Sequence, residues 1–187
     1  NQLKVYNGTA WVSASGTTQQ TISPEYPGAI ISADGSANVG TMTSDREATG
    51  SGNLYSLNYY EFSSGQSSIQ DYDVYVRWEV PDNWTAWTTS NALTIDYATE
   101  DTSSANNQLD VQITKEGDAD TVISSDNVSP TASKWQSQIL SSSPVSFTAA
   151  QLNTGITWAA GDVMIVRLRL HSKDNYYTRV GPIKFDW

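Results

Sequence analysis

Residues 72–80 read YDVYVRWEV. Tyr72, Val74, Val76, Trp78 and Val80 fall on every second position, with Asp73, Tyr75, Arg77 and Glu79 between them. Successive side chains of a strand point to opposite faces. The stretch therefore predicts a strand with one face in a hydrocarbon core and the other largely wet. The same period returns in NALTIDYAT (91–99), QLDVQITK (108–115), DVMIVRLRLHS (162–172) and RVGPIKFDW (179–187). In the fourth of these, Met164, Val166, Leu168 and Leu170 alternate with the outward Arg167 and Arg169. Shorter runs at 28–32, 39–42, 54–62, 134–139 and 145–147 are further strand candidates.

Turn signals separate the runs: Asp34-Gly35, Ser64-Gly65, Pro81-Asp82, Gly117-Asp118 and Gly161-Asp162. One stretch reads as helical. Thr148 and Gln151 have the spacing of a capping box, and Asn153 and Gly155 end the turn soon after. About ten strands with regular turns and one helical turn predict an all-β fold, a two-sheet antiparallel β-sandwich of jelly-roll-like topology. A short N-terminal β-hairpin precedes it. Val5 and Tyr6 lead into Asn7-Gly8, a pair suited to a type I′ turn, and Trp11 follows. The expected organisation is a hairpin over 1–14, a linker of Ser, Gly, Thr and Gln over 15–21, and a sandwich over 22–187. A lone hairpin is marginal in water, so Tyr6 and Trp11 call for a partner surface, from the main domain or from other copies of the chain.

The 187 residues include no cysteine, which excludes disulfides, thiolate metal sites and a cysteine nucleophile. Lys and Arg number 10 against 20 Asp and Glu, a net charge of −10. So negative a surface repels phosphate backbones and anionic bilayers, which argues against nucleic acid and membrane surfaces as partners. No apolar run is long enough to span a bilayer, and no basic segment followed by an apolar one opens the chain. With Asn at position 1, the expectation is a mature or excised piece of a longer protein.

Chemistry-bearing residues are few. His171 is the only histidine, and no G-x-S-x-G turn accompanies it. As a lone residue at a strand end it reads as surface. Glu61, Asp71, Asp73, Glu79 and Asp96 lie in or beside strands, where outward acids keep a sheet soluble; no spacing marks a glycosidase pair among them. The acidic turn KEGDADT offers Glu116, Asp118 and Asp120 to a structural calcium, the one cofactor the sequence suggests. Glu100 and Asp101, or Asp34 and Asn38, are weaker sets of the same kind. For ligand binding, Trp84 and Trp87 stand three apart in VPDNWTAWTTS, where flat rings either stack on sugars or plug the end of the sandwich. Adjacent tyrosines at 59–60 and 176–177 each put one ring inward and one outward. Tyr60 and Tyr177 join the two tryptophans as candidate contacts.

The stretch LKVYNGTAWVSASG (3–16) resembles a short segment of phage tail fibres and of bacterial surface proteins built like them, through Leu3, Val5, Tyr6, Asn7, Gly8, Thr9 and Trp11. In such proteins the segment often joins a fibrous region to a terminal domain, and three chains commonly associate. That resemblance implies self-association through Tyr6 and Trp11. The stretches SPEYPGAIISADGS, QDYDVYVRWEVPDNW and WAAGDVMIVRLRL are similar to β-sandwich domains of large bacterial surface proteins. The last of them also resembles a late strand of carbohydrate-binding jelly rolls. The resemblance carries over no catalytic residue. It implies a non-enzymatic extracellular structural or adhesion domain on a cell surface or virion, binding glycans or other surfaces. Alternatives are a pilus-like filament subunit using donor-strand exchange, a carbohydrate-binding module, and a polysaccharide-degrading enzyme.

Overall fold

A computed structural model of the chain describes residues 4–6, 9, 11–13, 18–33, 37–49, 55–101, 103–128 and 144–187. The strand expected at 134–139 and the turn at Asp34-Gly35 lie outside these residues. Two antiparallel sheets stack face to face, as the alternating pattern requires. One sheet contains β4 (Ile30–Ser32), β7 (Gln70–Glu79), β9 (Asn107–Lys115), β10 (Asp118–Val128) and β12 (Val163–Ser172), in the order β10-β9-β12-β7-β4. The other runs β11-β8-β13-β6-β5, built from β5 (Thr41–Thr49), β6 (Tyr55–Ser63), β8 (Leu93–Thr99), β11 (Val145–Phe147) and β13 (Tyr177–Asp186). A sixth strand, β3 (Gln19–Ile22), pairs with β13. From β6 to β9, and again from β10 to β13, each connection but the β9–β10 hairpin crosses between layers. The last two strands enter the middle of the two sheets, β12 between β7 and β9 and β13 between β8 and β6. Among the described residues no helix is long and apolar enough to cross a membrane.

The inner faces are those the period marks. Val74, Val76 and Trp78 of β7, Met164, Val166, Leu168 and Leu170 of β12, and Ile183 and Phe185 of β13 are all buried. Trp78 and Phe185, from opposite sheets, stack with centroids 4.1 Å apart and planes 3° from parallel. The indole Nε1–H of Trp78 donates to Gln20 Oε1 at 2.8 Å, which ties β3 to the core it borders. The capping box forms as expected: Gln151 N–H donates to the Thr148 hydroxyl, and α1 (Ala149–Leu152) buries Leu152.

Strand β13 changes neighbours halfway along. β6 pairs with Tyr177–Val180 and β3 with Ile183–Asp186, and the register of β13 against β8 shifts between Val180 and Ile183. Pro182 has no N–H for a ladder, so a central strand carries it only at a bulge. Gly181 O accepts from the buried Tyr26 hydroxyl at 2.5 Å. Burial holds the Tyr26 phenol well above its ordinary pKa, with Tyr60 and Asp96 adding to the effect.

Several expectations require correction. Residues 19–21, assigned to the linker, are strand, because their backbone fills the side of β13 that β6 leaves. The hairpin of β1 (Lys4–Tyr6) and β2 (Trp11–Ser13) pairs Val5 with Val12 and Tyr6 with Trp11, and the Asn7-Gly8 turn between them lies outside the described residues. The stretch after Lys115 is a tight turn at Glu116-Gly117, with Gly117 at φ 83°, followed by the long strand β10. Asp96, read as an outward solubilising acid, is 3% exposed, since every residue of β8 is buried.

Burial pushes the Asp96 carboxyl above the ordinary aspartate pKa, and Lys184 Nζ, 3.2 Å from Oδ2, offsets this only in part. Such a group contributes stability that is complete below the unfolded-state pKa of about 3.9 and is lost as pH rises through the higher folded-state value. Asp96→Asn is expected to remove that decline. Urea unfolding of both proteins, followed from acid to neutral pH, should show the variant gaining relative to the parent as pH rises. At Gly40 an added methyl would meet the Phe62 ring and the Ser63 carbonyl at 2.6 Å. Gly40→Ala is expected to cost about 1–3 kcal/mol of overpacking, read as a lowered Tm.

Candidate functional site on the outer face of the five-stranded sheet

Antiparallel register sets residues of neighbouring strands side by side, so the outer face of this sheet is a grid. Ile30, Tyr75, Arg167 and Gln112 form one row across β4, β7, β12 and β9. Ser32, Asp73, Arg169 and Asp110 form the next, followed by Asp71, His171 and Gln108. All project from the face opposite the buried Val74, Leu168 and Val111.

Asp73 is the anchor. Its side chain is 1% exposed, and the guanidinium groups of Arg167 and Arg169 close over it. Arg167 donates to Oδ2 from Nε at 3.0 Å and from a terminal nitrogen at 2.7 Å. Arg169 Nε donates to Oδ1 at 2.8 Å. A carboxylate so far from water persists only when paired and hydrogen-bonded, and it has two cations to do so. Arg167 also donates to Gln112 Oε1 at 2.9 Å, and Arg169 stands 3.7 Å from Asp71. His171 Nε2 lies 2.8 Å from Asp110 Oδ2. At the border, Arg77 holds Glu116 with a bidentate pair at 2.6 and 2.7 Å, and this keeps the Glu116 carboxyl below its ordinary pKa.

Two shallow hollows flank Arg167. One, about 160 Å³, is apolar and lined by Gly28, Ile30, Tyr75, Arg77 and Ile165. The other, about 50 Å³, is polar and lined by Asp110, Gln112, Arg167 and Arg169. A more open hollow of about 300 Å³ lies where Pro24 and Glu25 approach β5 and β6. Tyr59 is its one aromatic residue, and that ring is 7% exposed with the Arg179 guanidinium over it at 4.4 Å. The five-stranded sheet sets the partly buried Tyr75 ring, with the Arg167 guanidinium over it at 5.9 Å, beside an organised polar row. The face offers apolar contact at one end, and forked donors and acceptors at the other.

The residues singled out from sequence are dispersed. Trp87 is 6% exposed, in ring contact with Trp78, Trp84 and Trp158. Trp84 is half-buried against the same cluster, and the Nε1 atoms of both tryptophans are enclosed with no hydrogen-bond partner among the described residues. They close one end of the sandwich, which leaves little ring face for a ligand. Tyr60 is 4% exposed and packs on Tyr26. Its neighbour Tyr59 points to the outer side, as expected of such a pair, but Arg179 covers it there and leaves it buried. Tyr177 is half-buried, 4.2 Å from the same guanidinium, which Glu61 holds at 2.6 Å. Tyr6 is exposed; the Trp11 side chain lies outside the described residues. Of the calcium candidates, Glu116 is bound to Arg77, Asp118 opens β10 opposite Lys115, and the Asp120 side chain is outside the described residues. Among the described residues no group of three or more His, Asp or Glu could hold a metal ion.

Sequence reasoning treated Asp71 and Asp73 as solubilising acids and His171 as a surface residue. All three are corrected: they are 8%, 1% and 9% exposed. The face packs on itself, because long guanidinium side chains of β12 lie over the shorter acids on either side. The signal for this was present in the Arg167/Arg169 and Asp71/Asp73 alternations; the register that joins them was not.

No family model matches the chain, nor does any curated protein. Among solved structures, the chain is similar to the carbohydrate-binding module TmCBM61, solved in complex with β-1,4-galactotriose. The alignment covers 86% of this chain and 88% of that one, at 10% identity and a TM-score of 0.48.

Proposed function

We propose that the chain is a non-enzymatic binding domain that recognises carbohydrate on the outer face of its five-stranded sheet. The observation that carries this is the row Ile30, Tyr75, Arg167, Gln112, which runs from apolar through aromatic to polar across four strands. A pyranose has an apolar C–H face and a rim of hydroxyls. Tyr75, beside Ile30 and Ile165, offers the first the part of its ring that the Arg167 guanidinium, 5.9 Å from the centroid, leaves uncovered. Arg167, Gln112 and Asp110 offer donors and acceptors to the second. Because Asp73 already holds both arginines, little side-chain freedom is lost on binding.

Asp71, Asp73, Asp110 and Glu116 of this face are engaged with guanidinium or imidazole groups, which suits recognition better than proton transfer. In this reading the domain works outside the cell, as the head of a fibre or surface protein, with the hairpin segment toward the stalk.

Tyr75→Ala is expected to weaken binding to a responsive glycan roughly tenfold or more, about 1.4 kcal/mol. Tyr75→Trp should retain it. Glycan-array screening followed by calorimetry of the three proteins checks this, with thermal unfolding to confirm that each is folded. Equal affinity in the parent and Tyr75→Ala would place binding elsewhere. Turnover of any glycan, abolished by one acid-to-amide change, would make the domain an enzyme.

A further inference from the structure

We propose that the ligand of this face is an uncharged oligosaccharide lying across the strands, an inference that rests on the binding face proposed above. The first argument is charge. Each arginine of the face is closed on an acid: Arg77 on Glu116, Arg167 on Asp73, and Arg169 on Asp73 with Asp71 nearby. Asp110 and the exposed Glu79 add negative charge around them, on a chain whose net charge is −10. A ligand carboxylate or sulfate would have to compete with Asp73 and Glu116 for guanidinium groups already paired with them, and taking both from Asp73 would leave it buried and unpaired, which is strongly unfavourable. It would also approach against the field of the whole chain. A neutral hydroxyl meets neither penalty. It can share a guanidinium or a carboxylate without breaking the pair, since each has several hydrogen-bonding positions.

The second argument is geometry. The apolar hollow is lined by residues of β4, β7 and β12, the polar one by residues of β9 and β12. A molecule that uses both must cross the strands over Arg167. With neighbouring strands about 4.8 Å apart, the row from Ile30 to Gln112 spans about 14 Å, which suits a short chain of sugars better than one ring. Its two ends are chemically unlike, so the chain would bind in one direction.

The test is affinity electrophoresis and calorimetry of the whole protein with two neutral polymers, mannan and galactan, and two uronate polymers, alginate and polygalacturonate. The expected result is binding to a neutral polymer, changed less than about twofold between roughly 0.05 and 0.5 M NaCl, and lost in Tyr75→Ala. Ile30→Ser and Gln112→Ala, at opposite ends of the row, should each weaken it by about 3–10-fold. Preference for the uronate polymers, with affinity falling as salt rises and lost in Tyr75→Ala, would overturn the neutral ligand and leave the binding face standing. An effect from only one end of the row would overturn the crosswise placement. Binding that Tyr75→Ala does not alter, or no binding to any of the four, would overturn the face and this inference with it.

Discussion

Asp73 keeps its carboxylate almost wholly out of water on the outside of a sheet, and the guanidinium groups of Arg167 and Arg169 make that tolerable. The pairing links β7 to β12, the central strand of the five-stranded sheet. A one-residue slip between them would bring Leu168 opposite Asp73 or Tyr75 and turn the arginines toward the core. Removing one partner from so buried an arrangement commonly costs about 3–5 kcal/mol. The charged side of β12 thus enforces the register that its hydrocarbon side needs. Leu168 and Leu170 meet the core only when Arg167 and Arg169 meet Asp73.

That coupling explains what could be read from the linear chain. Period two in 72–80 and 162–172 is enough to name the inner residues, and the structure buries them, Tyr72 in part. Local turn chemistry was equally legible, as in the Thr148–Gln151 capping box. Hidden was everything that depends on which strand lies beside which. Gln19–Ile22 has linker composition and becomes a strand only because Pro182 and the end of β6 leave part of β13 to be paired. Asp96 looks like any outward acid until β8 is found buried along its length. Trp84 and Trp87 have the same spacing whether they face solvent or, as here, close an end of the core.

The candidate site was half visible for the same reason. Alternation set Tyr75 and Asp73 outward on one strand and Arg167 and Arg169 outward on another, ninety-odd positions away in sequence. Nothing in the sequence says that these rows interdigitate, or that Gln112 and Asp110 arrive from a third strand. The pairing also ties up charge on the face: ions that look like handles for a charged partner are committed to one another.

Thr18 and Trp187 exchange backbone hydrogen bonds at 2.8 and 3.0 Å, one step beyond the β3–β13 ladder. Because these strands are antiparallel, both positions sit at the same end of that ladder. A pull applied to the chain at those two points would strain the rungs one after another, as a zip opens, rather than all together as in shear. The first mechanical event would be the peeling of β3, which also carries Gln20 away from the Trp78 indole, while the Asp73 lattice on the opposite layer stays unloaded.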